Sequence, residues 1–370
     1  MKILIAPDKF KGTLSAREAA ENIAIGLREV LPEAKVDIMP MADGGEGTAE
    51  AIAQAIGGTW STCQAHDPLG REIEARYAWV HDRKLAIMEM SEASGMRRLS
   101  ENERDPIHAN TFGVGEMILD ASSHGAREII IGLGGSATND GGFGMARSLG
   151  FRFDYDCDYE HEHEHEVSRL VDLAKITRPK DLTLPKIVAA VDVRNPFLGE
   201  NGATRVFGPQ KGVTPDKIDI LERALRKLAD VVAQQFDCDY RNEPGAGAAG
   251  GLGFGLMSFC GAKVRPGFDV VAAAVGLETK MNDVDLVITG EGSLDRQTLE
   301  GKTPAGVARL ARKLGKRVFA IVGRTSEDRQ VCEIFDGVYE NARPGMSEKE
   351  NMARAADLLR ENARELAKVL

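Results

Sequence analysis

A glycine-rich segment with polar side chains is the feature of this sequence most suggestive of chemistry. It runs over residues 132–142 (GLGGSATNDGG) and carries Ser136, Thr138, Asn139 and Asp140 between its glycines. Glycine lets backbone N–H groups approach a ligand closely, and the polar side chains add further donors and acceptors. Such a turn can bind phosphate, or its polar side chains can simply cap the helix that follows. For this turn taken alone, both interpretations are open.

The elements around the turn predict a strand before it and a helix after it. Residues 128–131 (EIII) are typical of a buried strand, and residues 143–149 are typical of a helix. Four other polar segments also follow apolar runs, at residues 6–13, 41–48, 192–196 and 289–296. Because ligands of open α/β sheets bind at the carboxyl ends of the strands, we expect these segments to form one polar site.

The residue types in these segments suit phosphoryl transfer, which needs cations and a metal ion around the moving phosphate. A carboxylate could also accept the proton of an alcohol substrate. Alternatively, the lysines are solvent-exposed and the carboxylates cap helices. The candidate cations are Lys9, Lys11 and Lys302, and the candidate ligands for Mg²⁺ are Asp43, Glu46, Glu291 and Asp295.

Known nucleotide-binding motifs are matched only weakly. Residues 301–303 (GKT) do not complete a P-loop, because Arg296 stands where that motif requires glycine. Residues 132–137 and 245–250 fit the spacing of dinucleotide fingerprints, but such matches are weak in a chain with 40 glycines. An NAD-dependent hydroxy-acid dehydrogenase is therefore an alternative at this point.

Composition excludes several other classes of protein. The net charge of −10 argues against nucleic acid or an anionic membrane as the main partner. The five cysteines are scattered, so neither a zinc site nor a disulfide framework is expected. The apolar start is too short for a signal peptide, and no apolar run approaches the roughly 18 residues of a membrane span. We expect a cytoplasmic protein.

A low-complexity tract at residues 154–166 alternates histidine with glutamate at its end, over residues 161–166. Such a tract could bind a transition metal. We favour a solvated loop, because a catalytic metal needs ligands fixed by a folded surrounding shell.

The order of predicted elements indicates the fold class. Strands and helices alternate at both ends of the chain, which predicts a parallel, Rossmann-like three-layer α/β domain. Residues 59–65, 72–80 and 84–89 instead predict a meander of consecutive strands. We therefore expect a second α/β domain, with a mixed or antiparallel sheet, inserted into the first. The expected domains are 1–58 plus 276–370 and 59–275, with an active-site cleft between them.

Five motifs, in order along almost the whole chain, resemble those of the bacterial type-1 glycerate kinase family. They are residues 6–15 (APDKFKGTLS), 42–48 (ADGGEGT), 132–142, 207–212 (FGPQKG) and 289–295 (TGEGSLD). The resemblance implies ATP- and Mg²⁺-dependent phosphorylation of D-glycerate, on two α/β domains. It favours the 2-hydroxyl over the 3-hydroxyl, giving 2-phospho-D-glycerate. A non-enzymatic sugar-acid binding protein is a more remote alternative.

The resemblance also implies a set of site residues. Asp192 is the expected base toward the substrate hydroxyl, with Asp295 and Lys9 as further catalytic residues, and Glu291 and Asp295 are the expected metal ligands. The residues expected to bind substrate or phosphate are Asp8, Lys11, Asp43, Glu46, Gly134, Gly135, Ser136, Thr138, Asn139, Asp140 and Lys302. The residues themselves predict no oligomeric state.

Overall fold

The computed structural model describes residues 1–156, 166–299, 301–326 and 329–370. Most of the histidine/glutamate tract, residues 157–165, lies outside these ranges, so the loop and metal hypotheses for it both stay predictions. None of the helices in the described ranges is both long enough and apolar enough to cross a membrane.

The structure has the predicted strands in the predicted order, and it has further short strands that were not predicted. They are β1 (Lys2–Ile5), β2 (Lys35–Ile38), β3 (Thr59–His66), β4 (Glu72–Val80), β5 (Leu85–Glu89), β6 (Glu128–Gly132), β7 (Arg152–Tyr155), β8 (Leu173–Thr177), β9 (Lys186–Val191), β10 (Lys263–Pro266), β11 (Leu286–Thr289), β12 (Ser293–Leu294), β13 (Arg317–Val322), β14 (Arg324–Thr325) and β15 (Gly337–Glu340).

The described helices lie between these strands, except the last two, which follow β15. They are α1 (Ala16–Val30), α2 (Thr48–Ile56), α3 (Ser91–Ser94), α4 (Phe112–Ser123), α5 (Phe143–Ser148), α6 (Ala203–Phe207), α7 (Pro215–Phe236), α8 (Ala248–Cys260), α9 (Gly267–Val275), α10 (Leu277–Asn282), α11 (Arg296–Leu299), α12 (Thr303–Lys313), α13 (Glu348–Ala353) and α14 (Ala355–Ala367).

The chain divides into two compact units. The first comprises residues 1–43, 50–57 and 267–370, and the second comprises residues 44–49 and 58–266. The domain limits expected from the sequence stay a prediction, because compactness alone does not show that a unit folds independently.

The first unit contains a parallel sheet in the order β15-β13-β11-β1-β2. In the central pairs, Ile3 is in register with Leu286 on one side and with Val36 on the other. Helix α1 begins at a capping box, in which the Ser15 hydroxyl accepts a hydrogen bond from the Glu18 N–H and the Glu18 carboxylate accepts one from the Ser15 N–H. These elements confirm the predicted parallel α/β arrangement.

The second unit contains a mixed sheet in the order β10-β9-β6-β5-β4-β3. Strands β3, β4 and β5 pair antiparallel, as the predicted meander requires, whereas β5, β6, β9 and β10 pair parallel. Of the parallel strands, β5, β6 and β9 are almost wholly buried and contain continuous apolar runs, for example residues 187–191 of β9. The edge strand β10 is mostly exposed. The fold class expected from the sequence is confirmed for both sheets.

A left-handed turn interrupts α8 and was not predicted. Ala249, Gly250 and Gly251 have φ values of 54°, 67° and 88°. Gly250 packs directly on the backbone of Thr138, where a Cβ atom would overlap the carbonyl oxygen, and its own carbonyl accepts a hydrogen bond from the Gly141 N–H at 3.0 Å. The turn therefore braces residues 138–141. This packing also gives residues 245–250 a structural role in place of the dinucleotide fingerprint, since no strand precedes them directly.

We predict that Gly250→Ala destabilises the protein more than Gly261→Ala does. Both glycines have similar positive φ values, 67° and 63°, but a Cβ atom at Gly261 would meet nothing within 4 Å. The Gly261 variant should lose about 1 kcal/mol of unfolding free energy through backbone strain. The Gly250 variant should lose about 1–3 kcal/mol more through steric overlap. Urea unfolding of both variants measures this difference, and equal losses would contradict the bracing role.

Candidate functional site

In the first unit, four carboxylates come together at one edge of the parallel sheet. Asp8 follows β1, Asp43 follows β2, and Glu291 and Asp295 follow β11, which are three adjacent strands. The Asp8 N–H donates to the Gly290 carbonyl at 2.8 Å, which joins two of these loops. We call Asp8, Asp43, Glu291 and Asp295 the carboxylate cluster. The sheet topology thus brings together residues that are almost 290 positions apart in the sequence.

Asp8 is the most deeply placed member of the cluster, with 7% of its surface exposed. One carboxylate oxygen accepts a hydrogen bond from the Thr303 hydroxyl at 2.5 Å, and the other accepts one from the Lys9 N–H at 2.7 Å. Burial, together with the negative charge of Asp43, raises the pKa of Asp8 to about 7, against the opposing hydrogen bonds and the charge of Lys9. Asp8 therefore sits near its titration point at neutral pH.

Glu291 resembles Asp8 in its surroundings. Its Oε1 atom accepts a hydrogen bond from the Thr298 hydroxyl at 2.6 Å. Burial is the main cause that raises the pKa of Glu291 to about 7, with smaller contributions from the charges of Asp8 and Asp295 and an opposing one from Lys302. The negative charges of Asp8 and Asp295 thus make Glu291 harder to ionise.

Lysines accompany the cluster. The Lys302 ammonium nitrogen lies 3.9 Å from Asp295 Oδ1, and both side chains are about one-third exposed. The charge of Lys9 lowers the pKa of Asp8 slightly, and Lys11 is exposed in the same loop. All of the site residues predicted for this unit thus lie in the loops around the cluster or at its edge.

The cluster is not a preformed metal cage. Within the described ranges, no three His, Cys, Asp or Glu side chains are arranged to hold a metal ion by themselves. Mg²⁺ usually binds through one or two carboxylates, with water and substrate phosphates completing its shell. A site of that open kind remains compatible with Glu291 and Asp295.

In the second unit, the glycine-rich turn 132–142 follows β6 and pairs with the segment after β5. The Met96 N–H donates to the Gly135 carbonyl at 2.9 Å, and the Ala137 N–H donates to the Ser94 carbonyl at 3.0 Å. Gly134 lies against Gly45, where a Cβ atom would approach the Cα atom to 2.7 Å. The turn is therefore fixed along most of its length by backbone contacts.

Asp140 caps the helix that follows the turn. Its buried carboxylate accepts four hydrogen bonds, from the N–H groups of Thr111, Gly142 and Gly144 and from the Thr111 hydroxyl, at 2.8–3.0 Å. Burial raises the pKa of Asp140, and these hydrogen bonds oppose the shift. Since α5 spans only Phe143–Ser148 and Asp140 occupies its first donors, the structure favours the capping interpretation for this part of the turn.

A buried lysine, which sequence reasoning did not single out, lies beside the turn. The Lys211 ammonium donates to Ser136 Oγ at 2.6 Å and to the Thr138 carbonyl at 2.8 Å. Burial lowers the pKa of Lys211 to about 7, and the negative charge of Asp140 opposes this shift. The only sequence signal for Lys211 was its place in the motif at residues 207–212.

Two buried polar atoms in the turn have no hydrogen-bond partner among the residues that the structure describes. They are Thr138 Oγ1 and Asn139 Oδ1, although the Asn139 amide nitrogen donates to the Thr204 hydroxyl at 3.0 Å. Buried polar atoms are normally paired, and an orphan calls for an explanation such as a bound ligand or water. Gly134, Gly135 and Ser136 lie just before these atoms in the same turn.

Asp192 and Glu46 lie on segments next to this turn. Asp192 is exposed and follows β9, which is adjacent to β6 in the sheet. Glu46 is exposed in the segment 44–49, whose Gly47 and Ala49 N–H groups donate to the buried Glu89 carboxylate at 2.8 and 3.1 Å. Sequence reasoning did not single out Glu89, whose carboxylate holds this segment. It also missed three threonines whose hydroxyls bond to site residues: Thr298, Thr303 and Thr204.

Comparison with known proteins gives a consistent result. A model of the glycerate kinase family matches residues 3–370. The glycerate kinase of Halalkalibacterium halodurans is 40% identical over 372 residues, covering 99% of this chain and 97% of that protein. The glycerate 2-kinase of Escherichia coli is 42% identical over 332 residues, covering 89% and 86%. The crystal structure of a glycerate kinase 2 candidate from Salmonella typhimurium LT2 superposes with a TM-score of 0.87 at 40% identity, covering 100% of this chain and 98% of the other.

We predict that the buried Asp8 makes stability fall as pH rises. The folded-state pKa of about 7 exceeds the usual 3.8, so between about pH 4 and 7 the folded chain retains a proton that the unfolded chain has released. Unfolding free energy should therefore decrease across this window, by about 1.4 kcal/mol for each unit of pKa difference. Urea unfolding from pH 4.5 to 7.5 measures the slope.

Asp8→Asn is the variant that tests this origin. It should make the slope shallower, because the amide keeps an acceptor for Thr303 but does not titrate. The slope that remains comes from other buried carboxylates, above all Glu291, whose pKa is also raised to about 7. Asp283→Asn, at an exposed position in the same unit, is the matched control and should keep the slope. An unchanged slope in the Asp8 variant would show that Asp8 is ionised in the folded protein at these pH values.

Proposed function

Because the chain belongs to the glycerate kinase family, we propose that it transfers the terminal phosphoryl group of ATP to D-glycerate and releases ADP and 2-phospho-D-glycerate. The family match over residues 3–370 is the observation that carries this proposal. The carboxylate cluster with its lysines supports it, since phosphoryl transfer depends on a metal ion and cations placed around the phosphate. The name of the Escherichia coli relative favours the 2-hydroxyl, with the 3-hydroxyl as the alternative.

We propose that the first unit handles the phosphate chain of ATP. Glu291 and Asp295 would hold Mg²⁺, which when bound neutralises phosphate charge. The residues fit such an ion, because they are hard oxygen donors whose mutual repulsion already raises the pKa of Glu291, and a divalent cation would offset this repulsion. Lys9, Lys11 and Lys302 would donate hydrogen bonds to phosphate oxygens. Asp8 and Asp43 would support the ion from the neighbouring loops.

We propose that the second unit handles D-glycerate. Asp192 would accept the proton of the reacting glycerate hydroxyl. The oxygen of that hydroxyl would form a bond to the terminal phosphorus of ATP, while the bond from this phosphorus to the bridging oxygen breaks and ADP leaves. Asp192 is exposed and directly follows β9. Gly134, Gly135, Ser136, Thr138 and Asn139 would bind oxygen atoms of the substrate. Asp140 would not contact the substrate but would hold the turn in place. Glu46 would lie at the edge of the substrate site, in the segment 44–49.

The kinase activity predicts ADP release that depends on glycerate. Purified protein with ATP and Mg²⁺ should release ADP when D-glycerate is present, and release should fall to background with L-lactate, which lacks the 3-hydroxyl and has the opposite configuration at carbon 2. Phosphorus NMR of the same mixture reads the position of the new phosphate. A 3-phosphate product would correct the regiochemistry, whereas no glycerate-dependent release would contradict the proposed function.

The proposed catalytic carboxylates predict losses of turnover without losses of stability. Asp192→Asn and Asp295→Asn should each lower kcat by about 100-fold or more, the scale of general-base and charge-placement effects. Thermal unfolding midpoints should stay within a few degrees of the wild type, because both side chains are partly or fully exposed. Asp283→Asn serves as the exposed control in the kinetic assay. Wild-type kcat in either variant would refute the role given to that residue.

A further inference from the structure

Lys211 is a buried cation without a carboxylate in direct contact. It lies in a 3-10 turn, Pro209–Lys211, and is only 2% exposed. Its partners are a hydroxyl, Ser136 Oγ, and a carbonyl, that of Thr138. The facing anion is Asp140, whose two carboxylate oxygens are occupied by the four donors described above. A buried ammonium held only by neutral acceptors is costly and favours the approach of an additional negative charge.

The hydrogen bonds of Ser136 indicate where the additional negative charge would lie. An ammonium group only donates, so the Ser136 oxygen is the acceptor of the Lys211 bond. The proton of the Ser136 hydroxyl is then available to another acceptor, and in the described part of the chain this hydroxyl donates no hydrogen bond. Ser136 retains 6% exposure, which is enough for contact with a ligand atom.

Other orphan polar atoms surround the same stretch of backbone. Thr138 Oγ1, Asn139 Oδ1 and Ser91 Oγ are buried and have no hydrogen-bond partner within the described ranges. Ser91 lies beside the turn, since its Cβ atom would be 3.4 Å from a Cβ atom at Gly135. Two of these atoms are hydroxyls that can donate to an oxyanion, and the amide oxygen of Asn139 can accept from a substrate hydroxyl. The orphans therefore match an oxygen-rich anionic ligand.

We propose that Lys211 is a positioning residue that orients and polarises the Ser136 hydroxyl toward an oxyanion of the reacting substrates. The Lys211–Ser136 pair transmits positive charge to the bound anion while the lysine itself stays buried behind the serine. The inference rests on the proposed function for the identity of the ligand. The oxyanion belongs either to the carboxylate of D-glycerate or to the transferred phosphoryl group, and the two sources have different kinetic consequences.

The test compares Lys211→Met, Ser136→Ala and the double variant by steady-state kinetics. A charge-assisted hydrogen bond is worth about 1.5–3 kcal/mol, so each single variant should lose about 10–150-fold in kcat/KM. If Lys211 acts through Ser136, the double variant should lose no more than about threefold beyond the worse single variant. Fully multiplicative losses, or wild-type kinetics in both single variants, would overturn the proposal.

The Michaelis constants distinguish the two sources of the oxyanion. A carboxylate ligand predicts a raised KM for D-glycerate with an unchanged KM for ATP. A transferred phosphoryl group predicts a lowered kcat with both KM values nearly unchanged. Lys217→Met is the matched control, because Lys217 lies nearby in sequence, on α7, and only approaches Asp105 at 3.7 Å. It should behave as the wild type.

Two further measurements keep the test decisive. If Lys211→Met does not fold, Ser136→Ala removes the proposed donor with a small change in volume, and wild-type kcat/KM in that variant overturns the proposal. If the wild type shows no glycerate-dependent turnover, the proposed function fails separately. Isothermal titration with D-glycerate and with inorganic phosphate then decides: binding at least tenfold weaker in Ser136→Ala supports the oxyanion site, and equal or absent binding to both proteins overturns it.

Discussion

The burial of charged groups against one short stretch of backbone is the constraint on which the second unit depends. Asp140 has no access to water, and four hydrogen bonds from Thr111, Gly142 and Gly144 replace its hydration. Those bonds hold the end of the turn. The left-handed residues 249–251 pack against residues 138–141, and Lys211 donates to Ser136 and to the Thr138 carbonyl. If Asp140 lost these donors, an uncompensated buried carboxylate would destabilise the turn by several kcal/mol.

The first unit uses buried charge differently. Asp8 and Glu291 each receive a hydroxyl hydrogen bond, from Thr303 and Thr298, which only partly replaces water. Their pKa values near 7 report this incomplete solvation. A pair of carboxylates held close to their titration point stores unfavourable energy that a cation and phosphate-bound lysines could release. Under the proposed function, function and stability would oppose each other in this cluster, as they commonly do in active sites.

Some of this arrangement could be predicted from the sequence, for a physical reason. Apolar runs mark parallel strands, and the ends of such strands share an edge, so the convergence of Asp8 and Glu291 follows from their positions after β1 and β11. The contact between Lys211 and Ser136 spans 75 residues and depends on how the turn 207–212 packs, which no periodicity reveals. The capping role of Asp140 required the length of α5, and the left-handed turn at Ala249 required a backbone contact with Thr138. Sequence therefore predicted which segments matter better than what each side chain does.

A crystal structure of the protein bound to D-glycerate tests the central claim most directly, because that claim concerns which atoms meet the substrate. The account predicts an oxygen of the ligand, from its carboxylate or from a phosphoryl group supplied with a non-hydrolysable ATP analogue, within about 3 Å of Ser136 Oγ. It also predicts that Lys211 Nζ still donates to that serine and that Asp140 keeps its four donors. A substrate bound away from the turn, with Ser136 lacking any ligand contact, would contradict the account.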